Sequence, residues 1–254
     1  MVRLGIDIGS RQVKFVLDAG EGQFRRFSLP TFRLYHDHSR GQEDGTHVLD
    51  LSSLDLPFLD EVAATGYGRH NVKLPGVLVV SEIEAHAWGA AAGHPGEFCL
   101  LDLGGQDTKT VRVRDGHVED FVVNDKCAAG SGRYLENMAQ VMGVDLETLF
   151  SYYLDPADLS TTCAVYAESE IVGKVADGVP LARLCAGVNH SVFLRLRPML
   201  ERWPLKQLVF VGGGARNQAL VYYLRQAGFQ VNVPAHPEYN GANGCLALLA
   251  KERT

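Results

Sequence analysis

The chain opens on apolar positions that first alternate and then run together. Residues 3–9 (RLGIDIG) read as a buried strand entering a glycine turn. Residues 13–20 (VKFVLDAG) and 23–30 (QFRRFSLP) read as the next two strands. The turn material DAGEG between them predicts an antiparallel meander over 3–30. Periodicity then fades: residues 31–60 carry several histidines and the polar run HDHSRGQEDG, and predict loops and little else. Short strands are expected at 61–66 (EVAATG) and 77–82 (VLVVSE), then an alanine-rich helix at 83–93. Glycines and Pro95 interrupt the chain at 93–96, and a second strand series follows at 98–105, 108–116 and 117–124.

The second half reads as mostly helical. In residues 132–143 the apolar positions Leu135, Met138, Ala139 and Met142 share one helical face. The pattern continues through LETLF, YAESEIVGKVADG and LARLCAGVNHSVFLRLRPML. Residues 205–214 (LKQLVFVGGG) predict a strand into a triple-glycine turn, followed by the helix NQALVYYLRQAG, the short strand FQVNVP and a final helix, NGCLALLAKER.

Two stretches resemble each other. Residues 6–20 read IDIGSRQVKFVLDAG and residues 101–116 read LDLGGQDTKTVRVRDG. Each has an apolar strand, an aspartate, a glycine two residues on, a polar turn, a lysine and a return strand. Any two hairpins share some of this, but the matched Asp-x-Gly at the turn sets these two apart and predicts two related βββ openings.

Bulk properties narrow the function. The 254 residues allow one large domain or two of ordinary size, and 46% apolar residues suffice for packed cores. A net charge of −6 speaks against a nucleic-acid surface. No apolar run reaches the roughly 20 residues of a membrane span, and MVRLGIDIGS turns polar too soon for a secretory signal. The expectation is a cytoplasmic protein with no nucleic-acid or membrane partner. The five cysteines (Cys99, Cys127, Cys163, Cys185 and Cys245) are odd in number and widely spaced, with no CxxC pair, so they predict neither a disulfide framework nor a zinc ribbon.

The glycine turns carry the candidate chemistry. Backbone N–H groups at Gly9, Ser10, Gly104 and Gly105 can approach a phosphate closely because no bulky side chain intervenes. Asp7 and Asp102, at the strand ends, are candidate magnesium carboxylates, since magnesium prefers oxygen ligands and keeps its waters. Lys14 on the return strand can reach a phosphate. Gly212, Gly213, Gly214 and Asn217 form a strand-to-helix turn against which a ring or sugar can lie. Gln106 either orients an attacking water or caps its turn together with Asp107. Neither G-x-G-x-x-G nor G-x-x-x-x-G-K-[ST] occurs. His36, His38 and His47 have no familiar zinc spacing and read as solvated. Glu168 and Glu170 read as a solvated helix face. On pattern alone Cys127 and Cys163 stand evenly between packed thiols and ligands, while Cys99, Cys185 and Cys245 read as packed.

The three turns, in this order, resemble the phosphate 1, phosphate 2 and adenosine motifs of the sugar kinase, actin and heat-shock chaperone superfamily. More closely, the chain resembles the activator ATPases of 2-hydroxyacyl-CoA dehydratases and benzoyl-CoA reductases. The resemblance rests on GIDIGS (5–10), ATGYGR (64–69), SEIEAHAWGA (81–90), LDLGGQDTK (101–109), NDKCAAGSGRYLE (124–136), CAVYAESEI (163–171), FVGGGARN (210–217) and EYNGANG (238–244). It implies an α/β fold of two actin-like (ribonuclease H-like) βββαβα domains with an ATP cleft between them. The domains would be residues 1–93 plus 244–254, and residues 97–240. It also implies ATP, Mg2+ and one 4Fe–4S cluster per homodimer, with Cys127 and Cys163 as cluster ligands. An iron–sulfur acceptor protein, a dehydratase or reductase component, would receive the electron. Arg11, Gln12 and Val13 depart from the small or hydroxyl residues the family usually places before the lysine. The implied function is an ATP-hydrolysing electron donor. The competing expectations are a small-molecule kinase of the same superfamily with Asp102 as its base, and a nucleotide-binding sensor without turnover.

Overall fold

The computed structural model describes residues 1–41, 47–73, 76–159 and 163–252. In chain order the strands are β1 (Arg3–Ile8), β2 (Gln12–Asp18), β3 (Phe24–Pro30), β4 (Ser39–Gly41), β5 (His47–Leu49), β6 (Glu61–Gly66), β7 (Leu78–Val79), β8 (Glu97–Leu103), β9 (Thr108–Arg114), β10 (His117–Asn124), β11 (Gln207–Val211) and β12 (Gln230–Asn232). The helices are α1 (Thr31–Asp37), α2 (Glu82–Ala91), α3 (Gly132–Met142), α4 (Leu146–Ser151), α5 (Ala164–Ala176), α6 (Leu181–Leu200), α7 (Gln218–Gln226) and α8 (Asn240–Lys251). They form two compact units: Met1–Gly96 with Arg114–Val118 and Glu238–Thr254, and Glu97–Val113 with Glu119–Pro237.

The first unit is built on a sheet of order β3-β2-β1-β6-β7. The predicted meander is present, β1 and β3 both pairing antiparallel with β2, while β6 runs parallel to β1 and β7 parallel to β6. Strand alternation separates two faces. Leu4, Ile6 and Ile8 pack with Val13, Phe15, Leu17 and Leu34 on one. Val16 and Ala63 pack with Ala85, Ala242, Cys245 and Leu246 on the other, beneath α2 and α8.

On that second face backbone approaches backbone. A side chain at Gly5 or Gly244 would overlap the carbonyl oxygen of Ala242 or Ala85, and one at Gly89 the carbonyl oxygen of Asn240. Small residues therefore set the crossing of α2 over α8.

The second unit repeats the topology with a sheet of order β10-β9-β8-β11-β12, in which β11 runs parallel to β8 and β12 to β11. Its core gathers Cys99, Leu101 and Leu103 of β8, Leu208 and Phe210 of β11, and the inner faces of α3, α6 and α7. Of the predicted face of α3, Leu135, Met138 and Ala139 are buried and Met142 is half-buried. That helix stops at Gly143, whose φ of 67° is the left-handed conformation a helix C-terminus uses.

Residues 31–60 differ from the loops expected there: they hold α1, the β4–β5 hairpin and a 3-10 turn at Leu51–Ser53. Helix α1 has seven residues and a single buried one, Leu34, so no period could repeat within it. Residues 42–45 of the polar run with residue 46 after it, and the predicted end of the last helix at Arg253, lie outside the described residues.

The α2–α8 crossing gives a direct check. Gly244→Ala is expected to cost roughly 1–3 kcal/mol through overpacking, read as a lower denaturant midpoint at unchanged slope. An unchanged midpoint would show that the two helices separate freely.

Candidate functional site

Each unit buries one strand-end aspartate. In the first unit Asp7 is 3% exposed, and its Oδ1 has no hydrogen-bond partner among the described residues. Lys14 faces it across the β1–β2 pair, with Nζ 3.9 Å from Oδ2. Two glycines close around the carboxylate. A Cβ at Gly66 would stand 2.8 Å from Oδ1, and one at Gly241, in the first turn of α8, 3.0 Å from Oδ2. Gly66 has a φ of 86°, a conformation side chains resist. Gly9 lies beside Lys14, whose Nζ would be 3.2 Å from a Cβ there, and Ser10 is exposed on the turn.

The second unit reproduces the arrangement. Asp102 is 3% exposed, Lys109 Nζ lies 3.7 Å from its Oδ2, and Lys109 also pairs with Asp107 at 2.8 Å. Gly212, with φ 82°, takes the place of Gly66, and a side chain on it would overlap Asp102 Oδ1. Lys109 and Gly66 were not among the predicted site residues. The repeat holds the signal for Lys109, which follows Asp102 by the spacing of Lys14 after Asp7, whereas Gly66 is matched only by strand pairing, ending the parallel neighbour of β1 as Gly212 follows that of β8.

The third turn divides by role. A side chain on Gly212 or Gly214 would strike Asp102 or Leu103, so these glycines serve close packing, whereas Gly213 faces open space. Asn217 is fully buried and its amide is engaged internally. Its Oδ1 accepts from Leu220 N at 3.1 Å as the cap of α7, and its Nδ2 donates to Asn189 Oδ1 at 2.9 Å. Gln106 is exposed at the tip of the second turn.

That second turn is stitched to the segment holding Cys127. Gly132 N donates to Gly104 O at 2.9 Å and Arg133 N to Gly105 O at 2.8 Å. The Thr108 hydroxyl donates to Gly130 O. Cys127 heads the 3-10 turn Ala128–Gly130 that leads into α3, and is held by Asn124, whose Oδ1 accepts from its N–H and whose Nδ2 donates to its C=O, both at 3.3 Å.

The cysteines fall into two groups. Cys99, Cys185 and Cys245 are buried, and burial pushes their thiols up, to about 12 for Cys99 and about 11 for Cys185. Cys127 and Cys163 are half-buried, and each precedes a helical segment, Cys163 capping α5. The three histidines near α1 are each engaged by a neighbour: His36 with Asp37, His38 with Ser53, His47 with Ser39.

A profile of the BadF/BadG/BcrA/BcrD ATPase family matches residues 4–250. The chain belongs to that family. It is an ATP-hydrolysing enzyme with an actin-like fold. It is 35% identical to the activator of lactoyl-CoA dehydratase of Anaerotignum propionicum, over 99% of this chain and 98% of that protein. The crystal structure of (R)-2-hydroxyglutaryl-CoA dehydratase component A of Acidaminococcus fermentans matches at a TM-score of 0.84 and 28% identity, over 99% of this chain and 98% of the other. The activator of 2-hydroxyisocaproyl-CoA dehydratase from Clostridium difficile, solved with bound ADPNP, matches at 0.82 and 27%, over 100% and 98%. Among the described residues no helix is long and apolar enough to cross a membrane.

The cysteine grouping predicts a labelling pattern. In the native, metal-free protein at neutral pH, iodoacetamide should modify Cys127 and Cys163 and spare the other three until denaturant is added. Peptide mass mapping reads the sites, and early modification of Cys99 or Cys185 would contradict the burial argument.

Proposed function

We propose that this ATPase is an activator that couples ATP hydrolysis to one-electron transfer into a dehydratase or reductase partner. The stitched turn carries the reading. Gly104 and Gly105, expected at a nucleotide phosphate, accept backbone hydrogen bonds from Gly132 and Arg133, a few residues beyond Cys127. The names of the relatives support the same partner class.

The residues fit the groups the family implies. Asp7 presents a buried carboxylate oxygen without a hydrogen-bond partner, boxed by glycines, which suits a cation or its bound water. Asp102 is the corresponding carboxylate, and we assign both to magnesium. In this reading Lys14 neutralises a phosphate oxygen and the amides of Gly9, Ser10 and Gly105 donate to the phosphates, whereas the Gly104 amide is taken by Asp107 O and Lys109 is buried between Asp102 and Asp107. Gly213 leaves room for the nucleoside. Gln106 holds the attacking water through its carboxamide. Magnesium, when bound, spreads the phosphate charge.

Cys127 and Cys163 are the two half-buried thiols of the chain, and two copies supply the four thiolates a 4Fe–4S cluster needs. The cluster, when bound, supplies one-electron transfer. A second copy also suits α5, which turns Tyr166 and Val172, 72% and 59% exposed, away from the buried Ala167 and Ile171. Displacing the Gly104–Gly105 turn pulls on the amides of Gly132 and Arg133, and so moves the start of α3 beside Cys127.

Anaerobic reconstitution with iron and sulfide should yield about four iron atoms per two chains, and Cys127→Ser should abolish uptake. A Cys127→Ser protein with full iron would remove Cys127 from the site. Separately, Asp7→Asn should slow ATP turnover roughly 10–100-fold at unchanged thermal midpoint, and unchanged turnover would free Asp7 from a metal role.

A further inference from the structure

We propose that Arg195, on α6, sets the reduction potential of the cluster held by Cys127. The inference rests on the reading above that Cys127 is a cluster ligand. Arg195 Nη1 donates to Cys127 Sγ at 3.8 Å. Its aliphatic stem lies along Gly130: a Cβ there would be 3.9 Å from both Cβ and Cδ of the arginine. Several other arginines pair with carboxylates, as Arg3 with Asp18, Arg40 with Asp50, Arg112 with Glu97 and Arg202 with Asp120, and others donate to backbone carbonyls, as Arg25 to Asp55 and Arg69 to Gly66. Arg195 has no carboxylate partner among the described residues, and its hydrogen bond goes to sulfur. A half-buried guanidinium left without an anion is poised for one that arrives with the cofactor.

The placement is held from another face of the helix. Asn189, six residues earlier on α6, is fully buried. It donates through Nδ2 to Leu149 O at 2.7 Å and to Tyr152 O at 3.0 Å, and accepts from Asn217 at 2.9 Å. Helix α6 is thereby pinned to α4 and to the turn before α7, roughly 9 Å along its axis from Arg195.

Hydrogen bonds and nearby charge at the sulfur atoms are among the protein's means of tuning an iron–sulfur potential. Reduction adds one electron and one negative charge. A fixed cation at the ligand sulfur stabilises the reduced state more than the oxidised one, so Arg195 raises the potential and makes the cluster easier to load. A twofold dimer presents two such arginines to one cluster.

The test is a mediated redox titration of the reconstituted, nucleotide-free dimer under argon, followed by the electron paramagnetic resonance of the reduced cluster. A chemical low-potential reductant supplies the electron. Arg195→Gln should lower the ratio of reduced to oxidised cluster at the wild-type midpoint about tenfold, a fall in potential of about 59 mV for a one-electron couple. Arg195→Lys keeps the charge and should stay near wild type. Loss of iron from the Gln protein alone, with the Lys protein loaded, expresses the same need for charge and supports the assignment. A Gln protein with full iron and the wild-type midpoint overturns it, as do equal falls in both variants, which would trace to packing. A wild-type protein that takes up no iron overturns instead the reading on which the proposal rests.

Discussion

Burying an ionised carboxylate costs several kcal/mol unless charges and hydrogen bonds meet it, and this fold does so twice, at the same place in each unit. Asp7 and Asp102 stand at the ends of the central strands, each with a lysine across its hairpin and a positive-φ glycine from the parallel neighbour. Much else follows from that placement. The antiparallel meander has to bring the lysine into register opposite the aspartate. The parallel neighbour has to end, or turn away, on a glycine, because a Cβ at Gly66 or Gly212 would press on the carboxylate. In the first unit α8 has to begin on small residues, since Gly241 lies against Asp7.

The two aspartates are nevertheless not equivalent. Asp7 keeps a buried oxygen without a hydrogen-bond partner, which suits a site completed by something added to the protein. The lysine beside Asp102 is shared with Asp107, so in the second unit one ammonium faces two carboxylates. The second turn has another attachment, through the carbonyls of Gly104 and Gly105, to the start of α3. A turn that only cradled phosphate would need its amides and not its carbonyls. Here the Gly104 amide closes the turn on Asp107 O at 3.0 Å while the carbonyls of Gly104 and Gly105 hold the segment next to Cys127, so the loop is tied on both sides.

The repeated aspartate, glycine and lysine were legible in the sequence, as were the meanders and most helices. The cysteines were legible only in part. Cys99 lies in an apolar strand and Cys185 on an apolar helix face, so burial could be expected, and it is what raises their thiols. Cys127 and Cys163 had no such context, and the structure places both half-buried before helical segments. The triple glycine was legible as a turn but not in its division of labour. Whether a glycine faces a ligand or a neighbouring strand depends on what packs over it, and Leu103 is more than a hundred residues away. In the sequence Asn217 reads only as part of that ligand-facing turn; its cap on α7 and its bond to Asn189 emerge once the two helices are set side by side.

By itself the sequence determined what is local or repeated: strand and helix periods, the turns that only glycine allows, and the two Asp-x-Gly openings with their lysines. These depend on interactions within a few residues, or on a spacing that can be compared with itself. The tertiary structure alone decided the short α1 in a stretch without visible period, the glycines beside each carboxylate, the stitching of Gly104 and Gly105 to Gly132 and Arg133, and the approach of Arg195 to Cys127. Each joins positions whose distance along the chain says nothing about their distance in space. Close packing, which admits one arrangement of backbone against backbone, is what brings them together.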